Sequence, residues 1–193
     1  MHSKRARSGA DHCPPLANAP RSTEIKWNDV NDLINPVPSA GAVGTTLVGI
    51  QNSSQQNGRV GRWIAPISIE GMGNIVLPPQ GAGAAGSDVC RIMLVRDKQP
   101  NGATFTVADL LQQNGGVAAY LSFKELFNDE RFDILYDKSF NVECTGGVVA
   151  ATIEGNKILH FCVPLHGTRT LYSGTGGTVT DITTNNYALA VIS

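Results

Sequence analysis

The chain is poor in charge, in aromatic residues and in long apolar runs. Charged residues make up 16% of its 193 positions and aromatic residues 6%. A typical soluble domain carries about 25% charge. No run of about 18 apolar residues occurs, which excludes a membrane-spanning helix by hydropathy. The four cysteines, at 13, 90, 144 and 162, include no Cys-x-x-Cys pair. That excludes a zinc knuckle and a thioredoxin-like motif. Three of the four lie in apolar runs, the usual place of a small buried hydrophobe, so the thiols are expected reduced in a reducing compartment. The basic N-terminal residues are not followed by an apolar stretch, so they do not read as a secretory signal.

What is present in excess is turn chemistry. There are 21 glycines and 10 prolines, about 11% Gly where about 7% is usual. Few charges and many turn residues favour an all-β domain over a helical bundle. The length suits one well-cored domain.

Residues 1–22 are polar, Pro-bearing and without hydrophobic period, and are expected to form a flexible basic arm. Up to residue 21 the chain carries Lys4, Arg5, Arg7 and Arg21 against Asp11, a net +3. The remaining 11 basic and 15 acidic residues give −4. A basic head on a mildly acidic body points to a polyanion, with a solvated tail as the plainer reading. Such a cluster also fits a nuclear import signal.

Residues 23–193 read as one domain of eight strands. These are Glu24–Asn28, Thr45–Gln51, Arg62–Val76, Val89–Asp97, Phe132–Val142, Val148–Ile153, Lys157–Leu165 and Tyr187–Ile192. Pro66 and Gly71 are expected to bend the third. The near-continuous apolar run of the fourth marks a strand buried on both faces. Strict alternation in the fifth predicts Phe132, Ile134 and Tyr136 on one face and Asp133, Leu135 and Asp137 on the other. Two capping-box patterns, Thr106-x-x-Asp109 and Ser122-x-x-Glu125, predict two short helices within the long connection 98–130. Eight strands with this excursion predict a single antiparallel jelly-roll sandwich.

Catalytic patterns are weak. Gly81-x-Gly83-x-x-Gly86 has Rossmann spacing, but a strand follows where a dinucleotide site needs a helix. His160 and Cys162 share a strand face, yet a zinc site needs three or four ligands, and only His166 is near. Asp133 and Asp137 lack a partner acid or base. No Gly-x-Ser-x-Gly elbow accompanies the Ser, His and Asp residues. The chain therefore reads as a non-enzyme without cofactor or metal. The basic residues are more informative. Arg59 and Arg62 flank a loop-to-strand junction beside Trp63, and guanidinium groups with a nearby aromatic suit phosphates and unpaired bases. Core packing is the plainer reading of Trp27 and Trp63. Arg91 and Arg96 border a buried strand and are expected to form structural ion pairs.

Several ordered motifs resemble one family. Asn57–Ile64 (NGRVGRWI) and Arg91–Gly102 (RIMLVRDKQPNG) are similar to strand motifs of capsid proteins of small circular Rep-encoding single-stranded DNA viruses, distant relatives of geminiviruses. Val107–Leu111 resembles that family's short helix. Phe123–Asn128 followed by Arg131–Lys138 (RFDILYDK) resembles its Arg-Phe-x-x-Leu-x-Asp-Lys strand. Thr23–Lys26 resembles its first strand, and Tyr172–Gly174 with Asn186–Ala190 its last loop and strand. The resemblance implies a jelly roll that assembles into an icosahedral shell around single-stranded DNA. The contacts would be electrostatic and sequence-independent, from Lys4, Arg5, Arg7, Arg21, Arg59 and Arg62. The chain would then reside in the virion, and in the host nucleus or cytoplasm during assembly. The family's arm is usually long and Arg-rich, whereas only three clustered basic residues stand here. The other readings are the coat of a small satellite RNA virus and a jelly-roll carbohydrate-binding module.

Overall fold

The computed structural model describes residues 26–34, 37–77, 86–113, 120–144, 155–165 and 168–193. The expected strand Val148–Ile153 and the whole expected basic arm, residues 1–22, lie outside them.

Alternation and apolar runs build the long strands. Nine strands are present among the described residues: β1 (Ala42–Val43), β2 (Trp63–Ile64), β3 (Ser68–Leu77), β4 (Gly86–Asp97), β5 (Phe132–Cys144), β6 (Gly155–Pro164), β7 (Thr170–Tyr172), β8 (Ile182–Thr184) and β9 (Asn186–Ile192). They form three antiparallel sheets, ordered β1-β9-β4-β5, β2-β7-β8 and β3-β6. The architecture is all-β and jelly-roll-like.

The four-stranded sheet is the centre. One of its faces carries Met93, Val95, Ala188, Ala190 and Ile192, covered by Phe105, Val107, Leu110 and Leu111 from the long connection. The other face carries Cys90, Ile92, Leu94 and Val191 against Leu159 and Phe161 of β6. β4 is thus buried on both sides, as its apolar run requires. Val48, Leu165, Tyr172, Ile182 and Tyr187 fill a third cluster under the β2-β7-β8 sheet.

Several expectations are corrected. Lys26–Asn28 and Thr45–Gln51 are not strands; the first strand is two residues at Ala42–Val43. Pro66 splits the expected third strand into β2 and β3, because proline supplies no N–H to the ladder. Gly71 does not bend β3. It pairs with Phe161 in unbroken register, and an added Cβ would lie 2.4 Å from that ring. Thr106–Asp109 does open a helix, α1 (Val107–Leu110), where the Asp109 carboxylate accepts from the Thr106 N–H at 2.7 Å. Ser122–Glu125 does not. Glu125 instead caps a single 3-10 turn at Leu126–Asn128, accepting from the Phe127 N–H at 3.2 Å.

A bulge in β5 overturns the strict alternation. Leu94 pairs with Tyr136 but Val95 with Ile134, so Leu135 is the extra residue. One extra residue exchanges the faces of everything beyond it. Phe132 and Ile134 therefore join the cluster around Met93, while Tyr136 joins that around Leu94. Asp133 and Asp137 consequently do not share a face.

Cys90 is buried and free. Burial, followed by the nearby Asp88 charge, raises its thiol to about 11. Cys162 is disulfide-bonded, with its partner outside the described side chains. That corrects the expectation of reduced thiols. A second thiol within bonding reach decides this, which sequence spacing does not reveal; Cys162 stands on the outward side of β6, opposite Glu70.

Candidate nucleic-acid interface

The six arginines among the described residues divide by what holds them. Arg91 donates to Asp137 through Nε at 2.7 Å and Nη2 at 2.6 Å, and to the Ser122 carbonyl at 2.7 Å. Arg96 donates to Asp133 at 2.9 Å and to the Thr168 hydroxyl at 2.9 Å. Arg131 holds Asp97 at 2.8 Å. Arg91 and Arg96 are therefore the structural pairs expected of them.

Arg59 is also committed, against expectation. It is only 3% exposed. Its Nε donates to the Ile50 carbonyl at 2.9 Å, and its terminal nitrogens donate to the carbonyls of Gly61 and Gly174. The guanidinium lies 4.1 Å from the Tyr172 ring centre, and the Tyr172 hydroxyl donates to the Val48 carbonyl at 2.6 Å. Burial pushes that phenol well above its ordinary range, with the Arg59 charge pulling the other way. Three backbone acceptors around a buried guanidinium make this a fastener of three loops, not a surface contact. Arg59 is removed from the candidate set.

Arg62 and Arg169 remain. Neither side chain forms an ion pair or hydrogen bond among the described residues. Arg62 is exposed and directly precedes Trp63. Arg169 stacks its guanidinium over the Trp63 ring, 4.5 Å from its centre. Trp63 is 48% exposed, and its cross-strand neighbour Leu171 is exposed beside it. The core reading of both tryptophans is corrected: Trp63 lies on the outward face of the β2-β7-β8 sheet, and Trp27 is more exposed still. Tryptophan next to arginine presents a flat π surface with fixed positive charge, the chemistry of single-strand binding platforms. Sequence reading missed Arg169, which is more than 100 residues from Trp63. Only the pairing of β2 with β7 brings them together. Lys4, Arg5, Arg7 and Arg21 lie outside the described residues.

The other candidate constellations are accounted for by local bonds. Asp133 accepts from Arg96 and, at 3.2 Å, from Lys98. Partial burial raises the Asp133 carboxyl, but the hydrogen bonds and charges of Arg96 and Lys98 outweigh it and hold the group below its ordinary value. A depressed folded value means the stabilisation is full above the unfolded value of about 3.9 and is lost as pH falls through the lower folded one. The gap in urea midpoint between the native chain and Asp133→Asn is therefore expected to shrink below about pH 4. A gap that is constant down to about pH 2 would contradict the assignment. His160 Nε2 lies 3.0 Å from Glu70 Oε1 on the outward face of the β3-β6 pair. With Cys162 in a disulfide, these residues are already engaged. Among the described residues no three His, Cys, Asp or Glu side chains are grouped to hold a metal ion. Gly81–Ala85 lie outside them, and Gly86 opens a strand. No helix among them is long and apolar enough to cross a membrane.

No protein-family model matches the chain, and no curated protein matches it.

Proposed function

We propose that this chain is a viral capsid subunit that self-assembles into an icosahedral shell around single-stranded DNA. The observation that carries the reading is the surface left on a subunit whose core is already closed. β3 and β6 pair only with each other among the described residues, as a ribbon ten residues long. Its outward face exposes Met72, Val76 and Ile158. A ribbon edge unpaired among the described residues and an apolar outer face are liabilities in a monomer, and association between subunits covers both. The jelly-roll-like architecture agrees with the ordered motif resemblance. Arg62, Trp63 and Arg169 supply the cargo contact, supplemented by Lys4, Arg5, Arg7 and Arg21. Recognition is by charge and stacking, without base readout.

Size-exclusion chromatography with light scattering, read at 260 and 280 nm, tests this. The expected result is a megadalton particle whose absorbance ratio falls on DNase treatment of the opened particle. RNase sensitivity instead would favour a satellite-type RNA coat. A stable monomer across pH and salt would overturn the reading in favour of a binding module.

The cargo contact has its own expected result. Arg62→Ala with Arg169→Ala should flatten the dependence of log K on log salt by about 1.4, roughly 0.7 per lost phosphate contact on a single strand. Trp63→Ala should cost about 1–3 kcal/mol per stacked base. Both are read by titration with an oligothymidylate, and neither variant should alter particle size. Unchanged affinity and slope in all three substitutions would exclude this surface.

A further inference from the structure

The segment Leu121–Phe127 is the most apolar exposed stretch among the described residues. Leu121, Phe123, Leu126 and Phe127 all project into solvent, Phe127 at 96% exposure. The exposure is built, not a consequence of a loose loop. The Gln112 N–H donates to the Phe123 carbonyl at 2.8 Å, and the Glu125 N–H to the Leu110 carbonyl at 2.7 Å. Asn128 Nδ2 donates to the Asp109 carbonyl at 2.9 Å, and Arg91 holds the Ser122 carbonyl from below. Backbone pinned on both sides presents its side chains at little further entropic cost.

We propose that this patch is a subunit–subunit contact in which one copy packs Leu121–Phe127 against the same segment of a second copy across a two-fold axis. The inference rests on the self-assembly reading. Two observations select a second copy. The first is charge. In a two-fold contact the same patch meets itself, so charges close to the axis face their twins. Here Lys124 is paired with Asp129 and Arg91 with Asp137, and the Glu125 carboxylate turns back to accept from the Phe127 N–H, which leaves Glu125 the one ion inside the segment without a counter-ion among the described residues. The second is area. Two Phe rings at about 150–250 Å² each, with two leucines, bring on the order of 500 Å² of apolar surface per copy. A standard interface buries about 800 Å² per partner, with an apolar centre and polar rim. The patch supplies the centre of such an interface. The connection that carries it covers the sheet face around Met93, whereas the β2-β7-β8 sheet covers the cluster around Tyr187. A contact here leaves the Arg62–Trp63–Arg169 surface free.

The test uses the full chain with Phe127→Asp and, separately, Phe127→Cys. Phe127→Asp should raise the concentration needed for assembly by about tenfold or more, with an unchanged melting temperature. Phe127→Cys should give a covalent dimer under mild oxidation that the native chain does not give. Native particles with unaffected Phe127→Asp assembly and no covalent dimer would overturn this contact and leave the shell reading standing. Impaired assembly without a covalent dimer would overturn the two-fold pairing. A native chain that stops at a dimer, abolished by Phe127→Asp, would support the contact and overturn the shell.

Discussion

Arg59→Ala is expected to lower the melting temperature by about 10 °C, since roughly 3–4 kcal/mol at 2–4 °C per kcal/mol gives a drop of that order. The loss has named parts. The carbonyls of Ile50, Gly61 and Gly174 lose their donor together. A buried polar group left unpaired costs about 1–3 kcal/mol, and water entering the vacated space offsets part of the sum. The Tyr172 ring also loses its cation, and burial of the Arg59 site at 3% exposure makes that contact strong. Arg59→Lys should recover little. An ammonium has three donors but not the planar fork that reaches three loops at once. Calorimetry or a dye-based melt reads both. The opposite result, an unchanged melting temperature with weakened oligonucleotide binding, would return Arg59 to the ligand-contacting set.

Asp97→Ala should cost about 3–5 kcal/mol, the usual range when one partner of a buried ion pair is removed. Asp97 ends β4 and is fully buried. Its carboxylate accepts from Arg131 Nε at 3.0 Å and Nη2 at 2.8 Å, and from the Gln99 N–H at 3.0 Å. The hydrogen bond to Asp97 raises the Arg131 pKa, while burial works against it. Arg131 also lies 4.7 Å from the Phe132 ring centre. The pair therefore locks the end of β4 to the start of β5, where the motif resemblance places Arg131–Lys138. The check is a double-mutant cycle with Arg131→Ala by urea unfolding. Coupling above about 1 kcal/mol is expected for residues in direct contact. Additive losses, or a single-variant change within about 0.5 kcal/mol, would exclude the role.

The elements legible in the sequence are those whose signal is local. The apolar run at 89–97 became a strand buried on both faces. The alternation at 132–142 and the run at 157–165 each became one arm of a long pairing. Thr106 with Asp109 carried its own helix start. Arg91 and Arg96 were legible as structural pairs because each borders an apolar strand and a desolvated guanidinium needs a carboxylate. β7 and β8 were not legible. Each is three residues long in a Gly- and Thr-rich stretch, and each is a strand only because β2 pairs with β7 and β7 with β8. The faces of Asp133 and Asp137 were misread for a related reason. One bulged residue, Leu135, has no local signature.

Arg59 and Arg62 show where sequence reading stops. They are three residues apart, equally basic and both within four positions of Trp63. One is buried on carbonyls that come from residues 50, 61 and 174; the other is exposed, and its side chain makes no ion pair or hydrogen bond among the described residues. The sequence by itself determined a β-rich chain, its long strands, its capped helix and the shortage of charge. It did so because alternation, apolar runs and caps act within about ten residues. The tertiary structure alone decided which cations are spent internally and which stand free, and it placed Arg169 over Trp63. Those outcomes depend on contacts between segments from about 30 to more than 100 residues apart, and strand pairing sets them rather than neighbouring sequence.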